Sequence, residues 1–306
     1  MPCVSVNYCV ASSQMNVFLL AMLRQYLPIT ALALLLCSYA AMATDSVIHT
    51  HHRYSSDITG LTGTFHVYLP PNYTEQSDGY PVIYVLDGDL HRFKAVSGIV
   101  EALSTATLEA QIPPAIVVGV PNFDSLPRET FLTPTNKDWA FNGQILEQFD
   151  NIGRAKAFAA VFKDELIPII EKGYATNGQR VVVGESFGGL FAAYTLIKYP
   201  DLFTSHLIID ATYLWDNNYL NRISDDGALT TPGTSGRVFF SFANNATYGE
   251  IGETNLRWGR EFAKKVTEVK RKGSVKQAYF EDETHGTVAL PSWYKGLVFI
   301  LKAANE

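Results

Sequence analysis

The chain has 306 residues, 47% of them hydrophobic and 18% charged, with a formal net charge of −6. That is enough apolar material for one large core. The acidic balance speaks against nucleic acid or an anionic membrane surface as the main partner.

The first 43 residues read differently from the rest. Residues 27–41 are nearly all apolar, Arg24 stands just before them, and Ala41-Met42-Ala43 follows. A positive start, a short apolar run and small residues at the end predict a signal peptide cut after Ala43. The run is shorter than the ~20 residues a membrane-spanning helix needs, so no stable membrane anchor is expected. Met22 fits the start of such a signal better than Met1 does. The expected mature chain, 44–306, is a single domain exported to the periplasm or the medium. Cys3, Cys9 and Cys37 all fall in the segment to be removed. The mature chain then has no disulfide, no thiol nucleophile and no cysteine-based metal site.

Residues 64–69 alternate loosely and end at Pro70-Pro71, which predicts a strand entering a turn. Residues 81–86 (PVIYVL) form a continuous apolar run before Asp87-Gly88-Asp89, and 115–120 (AIVVGV) form another before Pro121-Asn122. Such runs suit central strands covered on both faces. Residues 122–149 have weak periodicity and many polar groups. Helical spacing returns at Phe158, Phe162, Leu166 and Ile169/Ile170. Further strands are predicted at 180–183, 206–209, 237–243 and 275–280, with a helix after Asn255. Strands alternating with helices predict a mostly parallel sheet with helices on both faces. The polar segments 122–149 and 212–232 follow strands, so they are expected to rim the ligand pocket.

The chemistry concentrates in Gly184-Glu185-Ser186-Phe187-Gly188. It follows a valine-rich strand and opens an apolar helix. A G-x-S-x-G turn there is the nucleophile elbow of the α/β-hydrolase fold, which lifts a serine hydroxyl clear of the sheet edge. A serine needs a base. His285 lies on the loop after the last strand, the position from which this fold delivers one. His49, His51 and His52 lie near the expected mature start without spaced acidic or cysteine partners, so no metal site is predicted. His66 sits inside a strand and reads as structural. The imidazole needs an acid on its other nitrogen. Glu250 is favoured, on the loop after strand 237–243, ahead of Glu253 and of Asp210 at the preceding strand's end. A serine–histidine pair without a strong acid is the remaining arrangement. The oxyanion donors expected are the backbone N–H of Phe187 and that of Asp87 or Gly88.

With these residues placed, the chain resembles the esterase family that includes siderophore (enterobactin-type) esterases and is related to esterase D and the mycolyltransferase antigens. The matching strings are Tyr80-Pro81-Val82-Ile83-Tyr84-Val85-Leu86-Asp87-Gly88-Asp89, Phe131-Leu132-Thr133-Pro134-Thr135, Glu165-Leu166-Ile167-Pro168-Ile169-Ile170, Gly184 to Phe191, Leu214-Trp215-Asp216-Asn217 and His285-Gly286-Thr287-Val288. The resemblance implies an α/β-hydrolase that cleaves carboxylic esters without a cofactor. Gly249-Glu250-Ile251-Gly252 resembles the mycolyltransferase string that carries the acid, a second reason for Glu250. Some relatives are thought to work as a serine–histidine pair. Siderophore esterases favour basic residues at the pocket, which makes Arg128 a candidate substrate contact, with Trp215 beside it. Asp210-Ala211-Thr212-Tyr213 departs from the Ser-Pro-Ser common before the tryptophan, so the pocket wall differs.

The expected function is hydrolysis of a small-molecule ester through an acyl-enzyme. Acyl transfer to an alcohol would use the same machinery. A non-catalytic exported binding protein is the reading from another class, and the intact elbow and histidine argue against it.

Overall fold

The apolar runs assemble into one eight-stranded sheet in the order β1-β2-β4-β3-β7-β8-β9-β10. The computed structural model describes residues 49–225, 229 and 236–302. The predicted signal peptide, its Met22 start and all three cysteines lie outside the described residues. From Ile48 on, the chain forms one compact unit. The sheet strands are β1 (His49–Ser55), β2 (Thr62–Tyr68), β3 (Tyr80–Leu86), β4 (Ile116–Val120), β7 (Thr176–Glu185), β8 (Ser205–Ile209), β9 (Val238–Ala243) and β10 (Val275–Phe280). The pairs β1/β2 and β2/β4 are antiparallel, and every other neighbouring pair is parallel. A separate hairpin, β5 (Trp139–Phe141) and β6 (Gln144–Glu147), stands apart from this sheet.

Each central strand buries both faces, which is why the sequence shows runs rather than alternation. Val82, Tyr84 and Leu86 of β3 pack into one core, Ile83 and Val85 into the other. The first core is covered by α3 (Ala155–Val161), its continuation into α4 (Ile167–Gly173), α5 (Phe187–Lys198) and α7 (Glu250–Val269). The second is covered by α1 (Leu90–Ser104) and α8 (Ala289–Leu301). Two short helices, α2 (Glu129–Leu132) and α6 (Tyr219–Ile223), lie in the segments predicted to rim a pocket.

The structure departs from the sequence expectations in four places. Residues 49–55 form an edge strand where no element is predicted. Their exposed polar character hid them, and they are held by the β2 ladder and by ring contacts, His52 on Phe65 and His49 and His51 on His66. The polar stretch 122–149 contains the β5–β6 hairpin. The helical stretch near residue 162 widens into one π turn, Phe162–Leu166, between α3 and α4. Finally, α7 begins at Glu250 itself, so that residue opens a helix instead of lying on a loop.

Gly184 shows how close the elbow is to its helix. A Cβ there would lie 2.2 Å from the Gly188 carbonyl oxygen. Backbone cannot yield to that contact without moving α5 off the sheet. Gly184→Ala is therefore expected to lower stability by at least about 2 kcal/mol in denaturant unfolding, and a change within 0.5 kcal/mol, roughly that of a surface substitution, would contradict this packing.

Candidate active site

The chain runs from β3 out to β4 on one side, and returns to place β7 on the other side of β3. Ligands of open α/β sheets bind at such a reversal, outside the carboxyl ends of the strands. Three strand ends meet there, and each is followed by a non-glycine residue with positive φ: Asp87 after β3 (49°), Ser186 after β7 (58°) and Asp210 after β8 (38°). Backbone of this kind is uncommon and persists where surrounding bonds enforce it.

Ser186 is held at both of its backbone groups. Its N–H donates to the Ile209 carbonyl at 3.0 Å, and its carbonyl accepts the Leu190 N–H at 2.9 Å. Phe187 follows as the first residue of α5. The first N–H groups of a helix have no acceptor within it, and the helix dipole favours negative charge at that end. The Phe187 N–H is thus positioned for an anion beside the serine.

His285 stands on the turn after β10. That turn is closed by the Thr284 N–H to Thr287 Oγ1 (3.0 Å) and tied to the β9 end by the Asn244 N–H to the Glu283 carbonyl (2.8 Å). The Nδ1 of His285 lies 2.7 Å from Asp210 Oδ2. Asp210 is buried, and it also accepts the Ala243 N–H at 3.1 Å and the Asn245 Nδ2 at 2.8 Å. The hydrogen bond to Asp210 raises the His285 pKa, burial opposes it, and the Asp210 charge adds to the rise.

The structure brings Asp210 to His285 and leaves Glu250 and Glu253 elsewhere. Glu250 is exposed in the first turn of α7, where the helix dipole favours it, and its Oε1 accepts Asn142 Nδ2 at 3.2 Å. Glu253 is exposed in the same turn. Asp210, ranked behind both, is the carboxylate that reaches His285. Asn245, not singled out in the sequence, holds its second contact with the loop. The signal was present in Asn244-Asn245, two amide side chains at the end of an apolar strand.

The turn after β3 is also more committed than expected. The Gly88 N–H donates to the Val120 carbonyl at 3.0 Å, and a Cβ on Gly88 would lie 2.2 Å from the Val120 nitrogen. Gly88 therefore serves close packing against β4, and its N–H is spent on the Val120 carbonyl instead of facing the serine as expected. Asp87 remains. Its carboxylate accepts Arg128 Nε (2.9 Å) and Nη2 (2.6 Å), and Asn122 Nδ2 (2.6 Å). Arg92 stands 3.8 Å away and also meets Glu185 at 3.2 Å. Burial raises the Glu185 pKa, and Arg92 works against that. Arg128 thus clamps the β3 turn with its fork, and its guanidinium lies over the Phe187 ring, rather than standing free for substrate. Burial alone would lower its pKa, but the Asp87 bonds raise it.

Ser186, Asp210 and His285 line one cavity of about 300 Å³. Its walls are chiefly Trp139, Phe187, Leu214, Tyr248 and Ile251. Trp215 is not among them. It is fully buried, donates Nε1–H to Thr135 Oγ1 at 2.9 Å and packs edge-on against Phe187. It supports the wall from behind while its neighbour Leu214 faces the cavity. A second cavity, about 560 Å³, shares Leu214 and is lined by Lys137, Arg257, Asp138, Asp216 and Glu250 among others. Among the described residues no group of histidine, cysteine and acidic side chains is arranged to hold a metal ion.

Sheet order, elbow and base loop together define an α/β-hydrolase. The chain belongs to the Putative esterase family, whose model matches residues 56–290. It is 29% identical in sequence to an IroE-like serine hydrolase from Shewanella oneidensis, with a TM-score of 0.73 over 82% of this chain and 79% of that one. The enterobactin esterase FES from Shigella flexneri shares the fold, with a TM-score of 0.63 at 17% identity over 83% of this chain and 58% of that one. The uncharacterized protein YbbA of Bacillus subtilis (strain 168) is 26% identical over 72% of this chain and 80% of its own length. Family membership supports ester hydrolysis as the activity.

Removing Arg128 would leave the buried Asp87 carboxylate short of two charge-assisted bonds. Arg128→Ala is expected to lower stability by about 2 kcal/mol, and Arg128→Lys to restore less than half of the loss, because an ammonium cannot bond in the two-pronged way. Thermal and urea unfolding of the two variants check this; full rescue by lysine would contradict the clamp.

Proposed function

We propose that this protein hydrolyses carboxylic esters through a serine acyl-enzyme, with Ser186 as nucleophile, His285 as base and Asp210 as the acid that orients it. The observation that carries this reading is the 2.7 Å contact of His285 with Asp210 in the wall of the cavity that Ser186 also lines. With Nδ1–H donated to the carboxylate, Nε2 is left with its lone pair free to take the serine proton. Ser186 Oγ attacks the ester carbonyl, and the carbonyl oxygen becomes an oxyanion beside the Phe187 N–H, with the Asp87 N–H as the second donor. His285 returns the proton to the departing alcohol. Water then repeats the sequence on the acyl-enzyme, releasing the acid.

The substrate class proposed is a siderophore-like ester. The 300 Å³ cavity, walled by Trp139, Phe187 and Ile251, suits one compact aromatic or short acyl group. The rest of the molecule would extend past Leu214 into the larger, charged cavity. The FES structure was determined in the presence of enterobactin, which makes a trilactone siderophore the first compound to try. We also read residues 1–43 as an export signal, so N-terminal sequencing of the exported protein should begin at Thr44.

Ser186→Ala is expected to lose at least ~10³-fold in turnover of p-nitrophenyl acetate while keeping its circular dichroism and melting behaviour. Near-parental turnover would remove the assignment. The pH profile gives a second check. His285 must be neutral to act, and its pKa is raised by the Asp210 bond. Activity should therefore rise with pH through a single acid limb centred above the ordinary histidine value. A limb at or below that value would contradict the pairing. The same shift makes the protonated pair a stabilising contact at low pH, lost as pH climbs through the folded-state value.

A further inference from the structure

Helix α8 buries one face and leaves apolar side chains exposed along a flank. Trp293, Leu297 and Ile300 pack into the core. One flank carries Leu290 and Tyr294 at i, i+4 spacing, 60% and 50% exposed, and Lys295 lies on the outward face. Beside it runs β10, the edge strand of the sheet. Between them lies a groove of about 660 Å³ whose lining holds Arg237, Lys276, Lys295 and Lys302 and no carboxylate. Arg237 and Lys276 lie over the Phe299 ring, and Lys295 over Phe280. Arg237 also donates to the Phe299 carbonyl at 2.8 Å, closing the end of α8. Arg271 and Lys272 immediately precede Gly273 of the groove, while Glu281 and Asp282 follow β10 beyond its far end.

We infer that this groove and the outer face of α8 form a docking surface for an anionic lipid bilayer. Charge complementarity selects an anionic partner, because lysines and arginines line the groove unopposed in a chain of net charge −6. Screening limits each charge to about 8 Å at physiological salt, so the local patch outweighs the overall sign. The exposed Leu290 and Tyr294 require a partner that accepts apolar groups behind its charges. A bilayer has phosphates outside and acyl chains beneath, and lysine stems and tyrosine rings suit that boundary. A two-fold pairing of this chain through the same face would set lysines against lysines. Arg237, Gly273 and Lys276 stand at the starts of β9 and β10, the opposite end of the sheet from Ser186 and Asp210.

The test is flotation of the chain from Thr44 with vesicles of phosphatidylcholine alone, or with about one-third phosphatidylglycerol. The expected result is binding to the mixed vesicles only, abolished when salt is raised to about 0.5 M. Lys276→Glu/Lys295→Glu/Lys302→Glu should weaken partitioning roughly 100-fold with an unchanged melting temperature. Should that variant fail to fold, Lys276→Gln/Lys302→Gln should still weaken it roughly 10-fold. Equal binding to neutral vesicles, no loss in a folded variant, equal affinity for polyglutamate, or a dimer that the substitutions dissolve would each overturn the inference.

Discussion

The buried carboxylate of Asp210 is the contact on which the site depends. A lone carboxylate out of water would be costly, and such a group persists only when donors surround it. Here the donors come from a backbone amide at the end of β9, from Asn245 just beyond it, and from His285 on the turn after β10. One charge therefore fixes three consecutive segments relative to β8. The imidazole is positioned by the same bonds that keep the carboxylate stable, so the geometry of the base and the cohesion of that side of the sheet share one cause.

A second buried aspartate does similar work on the other side of the serine. Asp87 collects Arg128, Asn122 and the more distant Arg92 at the end of β3. Gly188, in the first turn of α5, packs close to it, since a Cβ there would lie 3.1 Å from Asp87 Oδ2. Ser186 is thus flanked by two strand ends, each carrying a carboxylate in strained backbone and each saturated by donors. The two differ in electrostatic effect. Asp210 favours the charged imidazole, whereas Arg128 disfavours it. The clamp on the β3 turn also tempers the base.

Much of this was legible in the sequence, and the reasons are physical. Central strands buried on both faces must be runs of apolar residues, so β3, β4, β8 and β9 stood out. The elbow needs Gly184, Ser186 and Gly188 in a fixed frame, so the serine was visible, and the turn after the last strand offered His285. Edge strand β1 was hidden because its exposed residues are polar. The carboxylate that meets His285 was ranked behind Glu250 because an aspartate at a strand end and a glutamate opening a helix look alike in one dimension. The choice between them is made by φ, depth and the reach of Asn245, none of which leaves a spacing pattern. Arg128 and Trp215 sit next to the site, but each is held by a partner far away in sequence, Asp87 and Thr135.

Charge is distributed with the same economy. The strand ends beside Ser186 hold compensated pairs, while Arg237 and Lys276 stand near the starts of β9 and β10 without a carboxylate in the groove they line. The central claim concerns those strand ends and is tested most directly by comparing Asp210→Asn with Glu250→Gln in kcat/KM for p-nitrophenyl acetate. The account predicts a fall of about 10³- to 10⁴-fold for the former and a value within about threefold of the parent for the latter. A collapse in the glutamate variant, with the asparagine variant nearly intact, would contradict it.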